Sequence, residues 1–583
     1  MTDHFEVHQR DGAARIGELR LSEPVTTPAL ADDVVADTGS EWFADQDQPE
    51  DDESVVTVLP HRAFPAGTAP EVEAAFRQDH PDVDFPSAVV VSPDTAADEG
   101  ADVYVVAGAQ GFVGHAEAFV DAVVQTKDAV PDDTALYLSG VATPANVATL
   151  VSAGVDLVDS HRAVVKGTQG KYLTEEGEYF LSDLTELPCS CPACQQPVDE
   201  FDREDCVAHN VNALDAELRR VRERIRAGRL RDYVEGQARF EAWLTAAFRE
   251  FDDQWGYVEE RTPVVRDSLL LSATEDTLRR VEIRRFADRV TSRYRNRHED
   301  VPLLLVPCSA AKPYSDSQSH RKFQEAARYR AHLVSMTSPI GVVPQELETT
   351  YPAQHYDSVV TGRWSEDEKA FVAEVLRRYL DRNDYPRVVA HVPDHGYRDV
   401  VERVADDVDV PFEFTVEDHP TTDASLANLA DALEGGRQIR VSERERNTVR
   451  AMLDYQVGDG AGDEVFEAFS LRGRYPRSQV RQDGEQLATM VPQYGTLAFT
   501  LSGAKRWVES DAPVKRVEID AFVPHGDVLA PGVLDASDDI RVGDELVVEG
   551  PNAFAVGRAE MHGAAMVEST RGVAVDVRHV EER

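Results

Sequence analysis

The chain has 583 residues, 60 Lys and Arg against 107 Asp and Glu, and a formal net charge of -47; at about 100–200 residues per domain it must divide into several domains. Its 42% hydrophobic content excludes a wholly disordered acidic protein, and its five cysteines are too few for a disulfide scaffold. No apolar run approaches the ~18–20 residues of a membrane span, and the opening MTDHFEVHQR has no signal-peptide core, so a soluble, cytoplasmic protein is expected. Only eight of the 60 basic residues are lysine, leaving 52 arginines. Acid surplus with scarce lysine is the composition of proteins that work in molar salt, as in a salt-in halophile. There the Debye length falls to about 3 Å and dense acidic surfaces stop repelling themselves. A basic net charge is the usual mark of a nucleic-acid binder; in molar salt its absence does not exclude an RNA partner.

In chain order, residues 1–240 alternate short β-branched runs (88–91, 103–107, 135–139, 155–158) with helix-like stretches (116–125, 144–153), the rhythm of βα units on a parallel sheet or barrel. An acidic stretch, 44–54, reads as a solvated loop, and a charged helix is expected over 213–237. Residues 241–435 open with helical sequence and then offer buried strands at 303–306, 340–343 and 388–392. Residues 436–512 carry a helix, 443–455, and then short strands. Residues 513–583 contain hairpin-like strands broken by glycine (GDVLAPGV, IRVGDELVV, AVGRAEM, RGVAVDVRHV), the spacing of a small β-barrel.

Within the first region, LPCSCPACQQ places Cys189, Cys191 and Cys194 in a C-x-C-x2-C knuckle. Three soft thiolates so close can share a tetrahedral Zn2+ as a closed, structural site, with a fourth ligand from downstream: His209 in CVAHN, or Cys206. GVDLVDS (154–160), the knuckle and the following HN resemble the end of the barrel in archaeal tRNA-guanine transglycosylases, and FEVHQRDGAARIGEL with VTTPAL (5–30) is similar to that family's first strands. The resemblance puts Asp159 at the position of the transglycosylase nucleophile. The chain departs from that family by having too little sequence before Asp159 for a complete barrel and no D-S-G-G-F-Q-type loop. A degenerate barrel with Asp159 as a vestige is therefore expected.

VPLLLVPCSAAKPYSDSQSHRKF is the most unusual segment. An apolar strand runs into Cys308, Lys312, Tyr314, Ser317 and His320, and ligands bind outside the carboxyl ends of strands in open α/β sheets. VVPQELE, with Glu346 and Glu348, followed by YPAQHYD with His355 and Asp357, and VVAHVPDHGY, with His391, Asp394, His395 and Tyr397, end similarly, so one polar pocket is expected to gather Cys, Lys, Glu and His. The segment matches P-C-x3-K-P-Y-x2-S-x2-H, the signature of the archaeosine synthase family, transglycosylase paralogues with an inserted catalytic domain. The resemblance implies an amine addition to the nitrile of 7-cyano-7-deazaguanine at position 15 in the tRNA D-loop, giving an amidine. Lysine is the implied donor, with glutamine or ammonia as alternatives, and a separate radical-SAM partner is implied to finish archaeosine. On this reading Cys308, activated by Lys312, attacks the nitrile. His320, His391 or His395 supplies a proton. Glu346 or Glu348 holds the donor's ammonium, and Asp394, Tyr314 and Ser317 complete the pocket.

MLDYQVGDGAG (452–462) and GEQLATMVPQYGTLAFTLSGAKRW (484–507) resemble the connecting domain behind the archaeal transglycosylase core, and the final region resembles a PUA domain. Such barrels hold structured RNA by shape and backbone contacts, with Arg541 and Arg558 as candidate phosphate ligands. The expected architecture is a multidomain α/β chain: a degenerate (β/α) barrel of transglycosylase type with a zinc knuckle, an α/β central domain, a small α+β domain and a C-terminal PUA β-barrel. Transglycosylase relatives imply a homodimer. The rival readings are an active tRNA-guanine transglycosylase and a noncatalytic tRNA-binding subunit.

Overall fold

The computed structural model describes residues 3–42, 49, 51–64, 67–76, 80, 83–359 and 363–583; of the acidic stretch 44–54, residues 44–48 and 50 lie outside these. The chain divides into two compact units, one of residues 1–263, 528–541 and 561–574, the other of 264–527, 542–560 and 575–583.

The first unit is built on a curled, half-barrel sheet of seven parallel strands. Their order is Ala29–Leu30, Leu157–Val158, Ala135–Leu138, Val103–Val106, Ser87–Val91, Val56–Val58 and Val35–Asp37. Val56, Val103, Ala135 and Leu157 are fully buried in its core, as expected of strands covered on both faces. Three antiparallel strands, Phe5–Asp11, Ala14–Leu19 and Val25–Thr27, precede it. The charged helix expected over 213–237 is two helices, Arg203–Arg226 and Leu230–Gln237. The first starts earlier because Asp202 caps it and Asp205 returns the bond, a reciprocal capping box. The break falls at Gly228, whose φ of +62° a helix cannot continue through.

The second unit centres on a five-stranded sheet in the order Gly341–Pro344, His332–Thr337, Leu303–Pro307, Val388–Ala390 and Phe412–Phe414. All pairs are parallel except the first. Leu303–Pro307 is central, and Leu303, Leu304, Leu305 and Val306 are fully buried, so the strand reads as a continuous apolar run. Helices Val281–Ser292, Glu366–Arg382, Gly396–Ala405 and Asp423–Ala432 belong to the same body. A four-stranded antiparallel sheet, Ser470–Arg474, Arg477–Gln482, Glu485–Val491 and Thr496–Phe499, and helix Val441–Gln456 share its hydrophobic core through Val449, Leu487 and Phe499. Strands Arg516–Ile519, Glu545–Glu549, Ala553–Ala559 and Val573–Glu582 form the barrel-like C-terminal sheet. Gly557 sits at its bulge, where a Cβ would collide with the Asp576 carbonyl.

Candidate functional site

Cys308 is the first residue past the central strand, its N–H donating to the Met336 carbonyl at 3.1 Å. The thiol is half-buried, and its Sγ is hydrogen-bonded to the Tyr397 hydroxyl at 3.2 Å. Tyr397 opens helix Gly396–Ala405, which follows the neighbouring parallel strand Val388–Ala390, so adjacent strand ends bring the two groups together. Lys312, also half-buried, lies with Nζ 3.9 Å from the centroid of the Tyr356 ring. Burial pushes the Lys312 ammonium below its ordinary pKa, against the opposing pull of Cys308 and Asp357. The Tyr356 hydroxyl bonds Tyr314 (2.7 Å) and Thr337 (2.8 Å). Burial, reinforced by the Cys308 sulfur, pushes the Tyr356 and Tyr397 hydroxyls upward, so both remain protonated donors beside the thiol. A thiol and an ammonium on one strand-end loop, met by protonated phenols from neighbouring elements, supply the groups that a nucleophilic addition needs.

Other residues of the same segment shape the loop. Ser317 Oγ accepts from the His320 N–H at 3.1 Å and caps helix Gln318–Ala327. His320 is 2% exposed; its Nε2 donates to the Pro307 carbonyl at 3.0 Å, and burial pushes its pKa down to about 4. Its ring stacks on Tyr314. A neutral imidazole with its proton committed to the backbone next to Cys308 holds that backbone. His391 is fully buried, with Nε2 donating to Pro420 O (2.7 Å), Nδ1 against Thr415 Oγ1 (2.8 Å), and its pKa pushed down to about 4 by burial. Asp394 and His395 are exposed on the loop between Val388–Ala390 and Tyr397. Asp394 pairs with Arg398 at 3.5 Å, and His395 has φ +67°, costly for a residue with a Cβ.

Both glutamates are buried. Glu346 is buried between His298 Nε2 (2.8 Å) and His332 Nε2 (2.9 Å), near the amino ends of the strands. Glu348, also buried, accepts from the Ser315 N–H at 2.9 Å, and burial raises its pKa to about 7. Both line a cavity of about 260 Å³ that also meets Ser315, Gln324 and Tyr475. Sequence reasoning missed His298, His332, Tyr356 and Thr337 as site residues; the signal for Tyr356 was its place between His355 and Asp357 in YPAQHYD.

The cysteines form a second centre in the first unit. Cys191 Sγ lies 3.6 Å from Cys194 Sγ and 3.6 Å from His209 Nδ1, which is 3.3 Å from Cys194 Sγ, and Cys189 completes a set of four that can hold a metal ion. His209 Nε2 donates to the Leu173 carbonyl (2.8 Å), which turns the Nδ1 lone pair toward the sulfurs. Tyr172 stacks on the imidazole at 3.7 Å. Cys206 turns its Sγ to the Lys171 carbonyl instead, leaving His209 as the fourth donor. Asp159 is 1% exposed. It accepts from Tyr137 (2.8 Å), Ser139 (2.7 Å) and the Gly140 and His161 N–H groups, and pairs with His161 Nδ1. Its lone pairs are committed to holding the strand ends. Arg541 pairs with Glu259 at 2.8 Å, and Arg558 lies over the Tyr494 ring.

Comparison with known proteins assigns these parts. Residues 90–242 match the queuine tRNA-ribosyltransferase family and 283–433 a domain of unknown function (DUF5591). Residues 447–513 match the patch-forming domain C2 of tRNA-guanine transglycosylase and 514–580 the PUA domain. The chain is 66% identical to an archaeosine synthase of Haloferax volcanii, covering 100% of both chains. It is 41% identical to the archaeosine synthase subunit alpha of Methanosarcina acetivorans, again over 100% of both. A tRNA-guanine(15) transglycosylase of Methanothermobacter thermautotrophicus is 26% identical over 79% of this chain and 68% of its own. The substrate class is tRNA, and among the described residues no helix is long and apolar enough to cross a membrane. The chain belongs to the archaeosine synthase family, tRNA-modifying transferases of archaeosine biosynthesis.

Proposed function

We propose that the α/β body around Cys308 adds an amine to the nitrile of 7-cyano-7-deazaguanine at position 15 of tRNA. A nitrile is a poor electrophile toward a neutral amine, which favours covalent catalysis. The Cys308 thiolate, stabilised by the Tyr397 hydroxyl and the Lys312 ammonium, adds to the nitrile carbon. One C≡N electron pair moves to nitrogen, which takes a proton from Lys312, leaving a thioimidate and a neutral amine at 312. The donor amine then adds to the same carbon, the C–S bond breaks to return the thiolate, and Lys312 recovers a proton from the newly bonded nitrogen. The product is an amidine with no net proton change. Burial lowers the Lys312 pKa, which eases the release of its proton in the first step. The observation carrying this reading is the contact of the half-buried Cys308 thiol, on one loop with Lys312, with the Tyr397 hydroxyl from the neighbouring strand end.

The donor is free lysine, its ammonium held by Glu348 at the cavity beside Ser315, with glutamine or ammonia as alternatives; Asp394 and His395 face the incoming base. The knuckle of Cys189, Cys191, Cys194 and His209 holds a structural Zn2+ that fixes hairpin, knuckle and helix to one another. Segments 1–240, 241–435, 436–512 and 513–583 act as scaffold, catalyst, connector and RNA handle in a cytoplasmic homodimer. A radical-SAM partner then cleaves the lysine adduct. The test is mass spectrometry of nitrile-bearing tRNA incubated with the protein in molar KCl and, separately, lysine, glutamine or ammonium. A denaturation-stable protein–tRNA adduct mapped to Cys308 supports the covalent route. Full activity of Cys308→Ser overturns it.

A further inference from the structure

The second unit contains a cluster that the proposed addition does not use. His332 starts the strand beside Leu303–Pro307, paired with Leu303. Cys308 is five residues further along, about 16 Å away at ~3.3 Å per residue. At this opposite end of the sheet, the Glu346 carboxylate is clasped by two imidazoles, Oε1 by His298 Nε2 (2.8 Å) and Oε2 by His332 Nε2 (2.9 Å). All three residues are buried, and one ligand atom from each lies within 4.8 Å of the others.

The far sides of the rings are also specified. His332 Nδ1 meets the Tyr385 hydroxyl at 2.7 Å, and His298 Nδ1 meets the Glu443 carboxylate at 3.4 Å and Asn447 Nδ2 at 3.3 Å. His298 thus faces a carboxylate at each nitrogen. A neutral imidazole donates only one N–H, and Arg437 already offsets the Glu443 charge at 2.8 Å; the buried Glu346 carboxylate, whose Oε2 also meets the Tyr294 hydroxyl at 3.3 Å, is the anion that calls for a positive charge within the cluster. A second proton on His298 supplies it; a metal ion among Glu346, His298 and His332 supplies it too. In the latter case His298 Nδ1–H donates to Glu443 and His332 Nδ1–H to Tyr385, the outer-shell pattern that orients histidine ligands. The same three residues line the cavity of about 260 Å³, which leaves coordination positions a route to solvent and small ligands.

We propose that His298, His332 and Glu346 form a second metal site, for a divalent transition ion such as Zn2+, Fe2+, Mn2+ or Co2+. It is a two-histidine, one-carboxylate set whose remaining positions open on the cavity. It differs in kind from the cysteine knuckle: the knuckle is closed by four protein ligands and rich in sulfur, whereas this set has three hard or borderline donors. The site does not depend on the chemistry proposed at Cys308.

The test is Co2+ titration of the metal-stripped full chain in molar KCl, read by metal content and visible absorption. The proposal predicts two ions per chain: one with sulfur-to-cobalt charge-transfer absorption, one without. In a Cys191→Ser, Cys194→Ser variant only the sulfur-free spectrum remains. In Glu346→Gln the sulfur-free ion binds at least ~10-fold more weakly, while the charge-transfer band persists and reports an intact first unit. Near-ultraviolet circular dichroism checks the second unit of that variant. A single ion per chain, lost with the cysteines, overturns the proposal. So does a second ion indifferent to Glu346→Gln and to His332→Asn, and the cluster is then a proton-bridged His–Glu–His network.

Discussion

At the scale of single residues, the contact of Cys308 Sγ with the Tyr397 hydroxyl is where the proposed covalent route can be tested. Hydrogen bonds to charged groups contribute ~1.5–3 kcal/mol, so Tyr397→Phe should slow the proposed addition about 10–100-fold. The measurement is single-turnover conversion of nitrile-bearing tRNA beside the rate of Cys308 alkylation at one pH, and both should fall. Alkylation at an unchanged rate with reduced turnover would place Tyr397 on the substrate instead. Lys312→Ala should slow turnover further, because it also removes the proposed proton carrier. The placement of Cys308 and Lys312 on the loop after a buried strand was legible in the sequence, because LLLVP is a continuous apolar run that stops at Pro-Cys. Tyr356 and Thr337 were not, because each reaches the loop from a different strand, and that meeting is set by sheet order. Glu346 was misplaced for the same reason: its partners His298 and His332 sit in segments with no chemical signature of their own.

At the scale of elements, Ser317 and His320 hold the backbone of the loop after Leu303–Pro307. Ser317 is the N-cap of Gln318–Ala327, and its loss should cost ~1 kcal/mol, with Ser317→Asp restoring the bond and Ser317→Ala not. Chemical denaturation compared across the three chains checks this. His320 and His391 give the body an acid sensitivity. Both are held neutral by burial, with folded values pushed down to about 4 from the ordinary 6.5. Between these values the unfolded chain binds protons that the folded chain refuses, so stability rises with pH across this window and is lost as pH falls from about 6.5 to 4. The two together account for several kcal/mol, on the order of 3 each. Urea midpoints of the wild type should fall steeply over that interval, and less steeply in His391→Gln. Sequence periodicity located the strands at 103–106, 135–138 and 303–307 well because buried parallel strands are β-branched or leucine runs. It missed His332–Thr337, HLVSMT, where polar side chains are buried among hydrogen-bond partners and break the apolar pattern.

At the scale of the whole molecule, a net charge of -47 sets two opposite dependences on salt. Self-repulsion among acidic side chains is screened as the Debye length shrinks from about 10 Å at 0.1 M to about 3 Å at 1 M. Raising KCl from 0.1 to 2 M should therefore raise the melting temperature, on the order of 10 °C for a relief of several kcal/mol. An equal osmolality of sucrose, which does not screen, should do less. Transfer RNA binding responds to the same salt through released counterions, with a slope of about -0.7 to -0.9 per neutralised phosphate. The chain keeps few arginines for that purpose at its C-terminal end. Arg578 is paired with Glu545 at 2.7 and 3.0 Å, Arg571 with Asp3, and Arg541 with Glu259. Binding that survives molar salt must then rest on shape and backbone contacts, the mode suited to a folded RNA. The logarithm of tRNA affinity against the logarithm of KCl should accordingly have a shallow slope, smaller in magnitude than about 3, measured by filter binding between 0.5 and 3 M. Arg541→Ala should leave that slope unchanged, since its charge already faces Glu259. A steep slope that flattens in Arg541→Ala would mean that the arginine leaves its glutamate for a phosphate when tRNA arrives.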